Sequence, residues 1–208
     1  MKTILVLDSS VSGEASVSRP LVREALERVR AAWPDSRVIH RELGSDPIPH
    51  LTEARLAGLR GEPVTEEERQ TRTLSNELIA ELRAADIILI GAPMVNFGPA
   101  TALRSWFDHV LRAGETFSYS DAGPKGLVTG KRAIVIEARG GLYSEGPARA
   151  FDFQEPYLRH LLNFIGITDV AFVRAEKVGL GAEARAAAIR DASAEITRLL
   201  PSVAHEAA

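Results

Sequence analysis

Five serines, Ser9, Ser10, Ser12, Ser16 and Ser18, stand where the apolar run Ile4-Leu5-Val6-Leu7 hands over to a stretch with helical spacing. The first turn of a helix leaves N–H groups without helical partners and carries the positive end of the dipole. Hydroxyls and amides gathered there can hold a phosphate monoester without a lysine. The phosphate of flavin mononucleotide suits such a cradle. Serines also cap helices and shape turns for purely structural reasons, so this loop alone is not specific. It lacks the glycine and lysine spacing of a P-loop, and no G-x-G-x-x-G follows the run, so nucleoside triphosphates and a Rossmann dinucleotide fold lose support.

A second cluster is Ala92-Pro93-Met94-Val95-Asn96-Phe97-Gly98-Pro99-Ala100. Its prolines restrict the backbone. Met94 and Phe97 can cover a flat ring, while Asn96 and backbone amides meet the ring's carbonyl and nitrogen edge. A third is Ala138-Arg139-Gly140-Gly141. Its paired glycines let the backbone approach a ligand closely and expose N–H donors, which suits the N5 and O4 edge of a flavin. A tight turn would use the same glycines, and Arg139 reads as a surface charge.

The elements that position these clusters follow from hydrophobic spacing. Residues 4–7, 87–90, 133–136 and 170–173 are continuously apolar, as strands covered on both faces must be, and Val38-Ile39 is a weaker candidate. Helices are expected over 19–32, from the Thr65/Glu68 capping box to about residue 84, along the stripe Leu103, Trp106, Phe107, Val110, Leu111 ended by Gly114, and over 156–165 and 182–200. A short helix is expected at 52–59, and a hairpin or excursion at 117–121. Five strands alternating with helices predict an α/β fold, a doubly wound parallel sheet forming a single domain over residues 1–208. Ligands of such sheets bind beyond the carboxyl ends of the strands, where the three clusters fall.

Composition narrows the chemistry. The chain has 208 residues, 25 Lys and Arg against 28 Asp and Glu, and no cysteine. A near-balanced charge gives no field for nucleic acid or anionic lipid. Without thiols, redox chemistry must come from a bound cofactor. The apolar run near Met1 is too short for a signal core or a membrane span, so a cytoplasmic protein is expected.

Several motifs in order resemble the bacterial FMN-dependent NADH-azoreductases and NADH:quinone oxidoreductases: Ser10 with Ser16-Val17-Ser18, Pro93-Met94-Val95-Asn96-Phe97, Gly126-Leu127-Val128-Thr129-Gly130-Lys131, Arg139-Gly140-Gly141 and Phe164-Ile165-Gly166-Ile167-Thr168-Asp169. The resemblance implies a flavodoxin-like five-stranded sheet of order 2-1-3-4-5 and a homodimer with one FMN per subunit. It implies a two-step reaction in which NADH or NADPH reduces the flavin and is replaced by a quinone or azo compound. By position, Ser10, Ser16, Val17 and Ser18 would hold the phosphate and ribityl chain. Pro93, Met94, Val95, Asn96 and Phe97 would hold the isoalloxazine, and Ala138, Arg139, Gly140 and Gly141 its N5 edge. Tyr119 and Phe164 would line the substrate space. The flavin carries the chemistry and no side chain is expected to be catalytic. Val95 stands where the family often has tyrosine, and Ala138 where it often has serine.

Other readings fit less well. A hydrolase lacks a G-x-S-x-G elbow, and no histidine pair has metal-ligand spacing. His109 reads as an exposed or interface residue. A receiver domain needs several acids at the end of the first strand, where the sequence places Asp8. The main alternative is an electron-carrier or sensor flavodoxin-like FMN protein without NADH turnover, which would favour a more acidic surface than a net charge of −3. Arg55, Arg60 and Arg139 are candidates for the dinucleotide phosphates.

Overall fold

Ile4, Leu5, Val6 and Leu7 are all buried, as an unalternated apolar run requires, and form the middle of β1 (Thr3–Asp8). The chain passes through the serine loop into α1 (Ser18–Ala32), then β2 (Arg37–Glu42), α2 (Glu53–Arg60) and α3 (Glu66–Ala84). Next come β3 (Ile87–Val95), the short β4 (Gly98–Pro99), α4 (Thr101–Val110), and the hairpin strands β5 (Phe117–Ser120) and β6 (Gly123–Gly126). β7 (Arg132–Ala138), α5 (Glu155–Phe164), β8 (Asp169–Ala175) and α6 (Ala182–Leu199) complete the order. The structure, a computed structural model, describes residues 1–121 and 123–200.

β2, β1, β3, β7 and β8 lie side by side in that order, every pair parallel. This is the expected 2-1-3-4-5 order, with β7 and β8 as its fourth and fifth strands. Parallel neighbours need crossovers, and the crossover helices cover both faces of the sheet. Leu5, Leu7, Ile88, Ile90 and Val135 pack against α3, α4 and α5 through Leu78, Leu103, Trp106 and Leu158. Ile4, Val6, Leu89, Ile134 and Ile136 pack against α1 and α6 through Leu21, Val22, Ala188 and Ile196. Among the described residues no helix is long and apolar enough to cross a membrane.

Three local expectations change. β3 runs on to Val95, so much of the expected second loop is strand. Met94 pairs with Pro99 and Val95 with Gly98, leaving Asn96 and Phe97 as a two-residue hairpin tip. Both have positive φ, 46° and 73°, as the turn that matches strand twist demands. α4 ends at Val110, and Gly114, with φ 81°, shapes the turn beyond it. His109 is buried rather than exposed. The small Ser75 of α3 lets α4 approach and donates to the His109 carbonyl at 2.7 Å, and the ring Nδ1 lies 2.9 Å from the Ser105 carbonyl. Burial pushes the His109 pKa down from its ordinary value.

Candidate cofactor site

β1, β3 and β7 are adjacent, so the loops at their carboxyl ends share one edge of the sheet. Side-chain and backbone bonds tie those loops together. Ser9 Oγ donates to the Gly91 carbonyl at 2.7 Å, and Gln154 Nε2 to the Ala92 carbonyl at 2.9 Å.

In the first loop Ser10, Ser16, Val17 and Ser18 are all buried. Ser16 Oγ accepts the Arg19 N–H at 3.2 Å and lies 3.5 Å from Ser18 Oγ. The Val17 and Ser18 N–H groups have no acceptor among the described residues. Arg19 donates to the Ser10 carbonyl at 2.8 Å and to Glu42 at 2.7 Å, so its cation braces the loop from behind. The cradle is thus neutral donors at the start of a long helix, which fits a phosphate monoester. Gly44 makes it possible, since a Cβ there would lie 2.1 Å from the Ser10 carbonyl oxygen. Nothing in the sequence around Gly44 signals that contact.

Asp8 and Glu42 are register partners on β1 and β2, so the end of the first strand holds a second acid that linear order does not reveal. With His40 they could approach a single cation. His40 Nε2 already lies 2.9 Å from Asp8 Oδ2, and Glu42 is engaged by Arg19.

The second loop places Pro93, Met94 and Val95 at the end of β3 and exposes Phe97. The Phe97 ring meets Tyr143 edge-on with centroids 6.1 Å apart, and Phe151 at 6.2 Å. Tyr143, Phe151 and the exposed Phe153 were not among the expected site residues. For Phe151 and Phe153 the signal is their alternation about Asp152; Tyr143 carries none.

In the third loop the carbonyls of Arg139, Gly140 and Gly141 accept from Val178, Gly179 and Lys177 at 3.1, 3.0 and 2.9 Å. This turns the Gly140 and Gly141 N–H groups the other way, where they meet no acceptor among the described residues. Free paired amides beside the hairpin tip fit the polar edge of an isoalloxazine. Ala138 is buried at the end of β7.

The Arg139 side chain is a correction. It has no exposure, so it is neither a surface charge nor open to a dinucleotide phosphate. Glu137, Asp152, Glu155 and Glu176 surround its guanidinium within 3.5 Å. Arg55 pairs with Glu67 at 3.3 Å, away from the three loops. Tyr119 and Phe164 gather around Phe117, at 5.4 and 4.6 Å. α5 starts beside Arg139 and ends at Phe164, about 15 Å further along its axis, so neither residue joins the three loops within this chain. Tyr119 instead lines a cavity of about 450 Å³ with Arg60, Leu56, Leu59, Asp108 and Leu111.

The topology, with free donors at the carboxyl edge, defines a flavodoxin-like protein. Residues 2–200 match the family of flavodoxin-like fold, and the chain belongs to it. Within that family it is similar to the FMN-dependent NADH:quinone oxidoreductase of Hyphomonas neptunium, 60% identical over 199 residues and 96% of each chain. A Bacillus anthracis azoreductase structure superposes with a TM-score of 0.88 at 26% identity, over 96% of this chain and 99% of that one. An FMN-dependent NADH-azoreductase from Bacillus anthracis, solved in complex with FMN, gives 0.84 at 26% identity over 96% and 100%.

Proposed function

We propose that this chain is an FMN-dependent NADH:quinone oxidoreductase that also reduces azo compounds, built as one domain and working as a homodimer. The observation that carries this reading is the meeting, at one sheet edge, of the neutral cradle of Ser10, Ser16, Val17 and Ser18 with the free amides of Gly140 and Gly141. The 60% identical relative supports it.

The redox chemistry, two electrons taken from NADH and passed to the acceptor, belongs to FMN when it is bound. The chain's own residues bind, orient and shield. Ser10, Ser16 and Ser18 with the Val17 amide hold the phosphate end. The Met94 to Phe97 hairpin would cover the ring, and the amides of Gly140 and Gly141 would meet its polar edge. No side chain has to act as acid or base. With FMN bound, donor and acceptor would use the same space in turn, which is the two-step order the resemblance implies. NADH is the donor favoured by the relatives' names, and the cytoplasm is where it is available.

The position of Tyr119 and Phe164 supports the dimer. If they line the substrate space, as the resemblance implies, they would do so from a second copy, and Tyr119 is exposed. The reading is tested by adding FMN to the purified chain and following NADH oxidation with and without a benzoquinone. One FMN per chain and quinone-dependent oxidation are expected; a chain that binds no FMN refutes the proposal, and one that binds FMN without turnover is a carrier.

A further inference from the structure

Glu137 and Arg139 lie two residues apart at the end of β7, and both have no exposed surface. Strand alternation sends both toward the face covered by α5, while Ala138 between them joins the α1 and α6 side. Arg139 Nη2 is 2.5 Å from Glu137 Oε2, 3.1 Å from Asp152 Oδ2 and 3.5 Å from Glu155 Oε2; Nη1 is 3.3 Å from Glu176 Oε1. Glu155 is shared with Arg159 on α5 and Arg174 on β8. Four carboxylates therefore crowd the one fully buried guanidinium, that of Arg139, while Arg159 and Arg174 are partly exposed and Arg149 lines the open cavity beside Asp152 and Glu155. A buried net charge is costly, and a proton on one carboxyl removes it.

The geometry singles out Glu137. It is the deepest of the four, and its Oε1 has no partner. Burial pushes its carboxyl up to about 8 against the pull of Arg139, with Glu155 and Asp152 adding to the rise, while Glu155 and Glu176 are held below the ordinary carboxylate value. The start of α5 holds a second such atom. Ala92, the register partner of Glu137, accepts from Gln154 Nε2, and Gln154 Oε1 is also buried without a partner. Glu137 Oε1 on β7 and Gln154 Oε1 at the start of α5 are thus both buried acceptors without a donor, as Arg139 Nε is a buried donor without an acceptor, and a proton on Glu137 would relieve its own unpartnered charge.

We propose that Glu137 is a positioning residue that carries a proton in the working protein, keeping the Arg139 cage neutral so that negative charge can gather on the flavin edge facing Gly140 and Gly141. This rests on the flavin reading above. Ionising Glu137 would add a fixed negative charge three residues before Gly140. A unit charge about 10 Å away at an effective dielectric of about 20 shifts an equilibrium roughly tenfold. For a two-electron couple, tenfold corresponds to ~30 mV.

The test compares wild type with Glu137→Gln, which mimics the protonated form, and Glu137→Asp, which keeps a titratable group should the glutamine variant fail to fold. Apo-protein stability is measured against pH, and the midpoint potential of the flavin-loaded protein is measured on both sides of about 8. A carboxyl raised in the fold binds its proton more tightly folded than unfolded, so wild type loses stability relative to Glu137→Gln as pH rises from 4.5 to about 8. The flavin potential of wild type falls by an extra tenfold equivalent across that step, and that of Glu137→Gln does not. Parallel apo curves would overturn the proton. Diverging apo curves with identical potentials at every pH would overturn the role toward the flavin. A chain that takes up no FMN would refute the proposed function, and with it that role, while the apo curves would still decide the proton. If Glu137→Gln does not fold, an Asp variant that shifts the break in the potential supports the proposal, and one that leaves it in place overturns it.

Discussion

The backbone N–H of Phe153 donates to the carbonyl of Phe97 at 3.1 Å. The segment entering α5 is thereby fastened to the tip of the β3–β4 hairpin, and the Asp152 beside it is fastened to Arg139. The second and third loops form one braced unit, in which a change at either is felt by the other.

Phe97 holds φ at 73° with its ring half exposed. A residue with a Cβ in that region costs roughly 1–2 kcal/mol, which glycine avoids. Phe97→Gly is therefore expected to keep or raise the melting temperature by about 2–4 °C, while the KM for quinone rises several-fold because the ring cover is gone. A lower melting temperature with unchanged KM would make Phe97 a structural plug.

The cradle of α1 is probed by Ser16→Ala and Ser18→Ala. A hydrogen bond to a charged group contributes about 1.5–3 kcal/mol, so each change should weaken FMN roughly tenfold or more in a fluorescence-quenching titration. Riboflavin, which lacks the phosphate, should bind wild type and variants alike. Equal losses for both ligands would place the phosphate elsewhere.

Thr65 Oγ1 accepts from the Glu68 N–H while the Glu68 carboxylate accepts from the Thr65 N–H, closing both halves of a capping box. Thr65→Ala is expected to cost about 1 kcal/mol in urea unfolding and to leave FMN titration and turnover unchanged. A variant with altered turnover would couple α3 to the site.

Glu176 accepts from the N–H groups of Tyr143 at 2.7 Å and Ser144 at 3.0 Å, and from the Ser144 hydroxyl. Burial raises its pKa, but the Ser144 and Tyr143 bonds and the Arg139 charge outweigh it and hold the carboxyl below 4.5. A group lowered in the fold contributes stability that is complete above its unfolded pKa and lost as pH falls through the folded one. Wild type should therefore lose stability more steeply than Glu176→Gln as pH drops below 4.5. Parallel acid limbs in unfolding curves would remove Glu176 from the clamp on the third loop.

Much of this protein is decided over short stretches of chain. The unalternated Ile87-Ile88-Leu89-Ile90 had to be a strand covered on both faces, and Thr65 with Glu68 had to begin a helix, because periodicity and capping act between near neighbours. The three loops were legible for the same reason, since each follows an apolar strand directly. The hairpin tip was not, because Asn96-Phe97 lacks the Asn-Gly signal of its turn and becomes one only when Met94 pairs with Pro99. Ala-Arg-Gly-Gly reads locally as an exposed turn, yet Arg139 is buried because Glu176, 37 residues away in sequence, and the acids at the start of α5 fold over it. His109 is hidden likewise, by the close packing of α3 on α4. Local free energies select strands, caps and turns. Which charge is buried, and which carboxyl must then keep its proton, depends on partners that only the folded chain brings together.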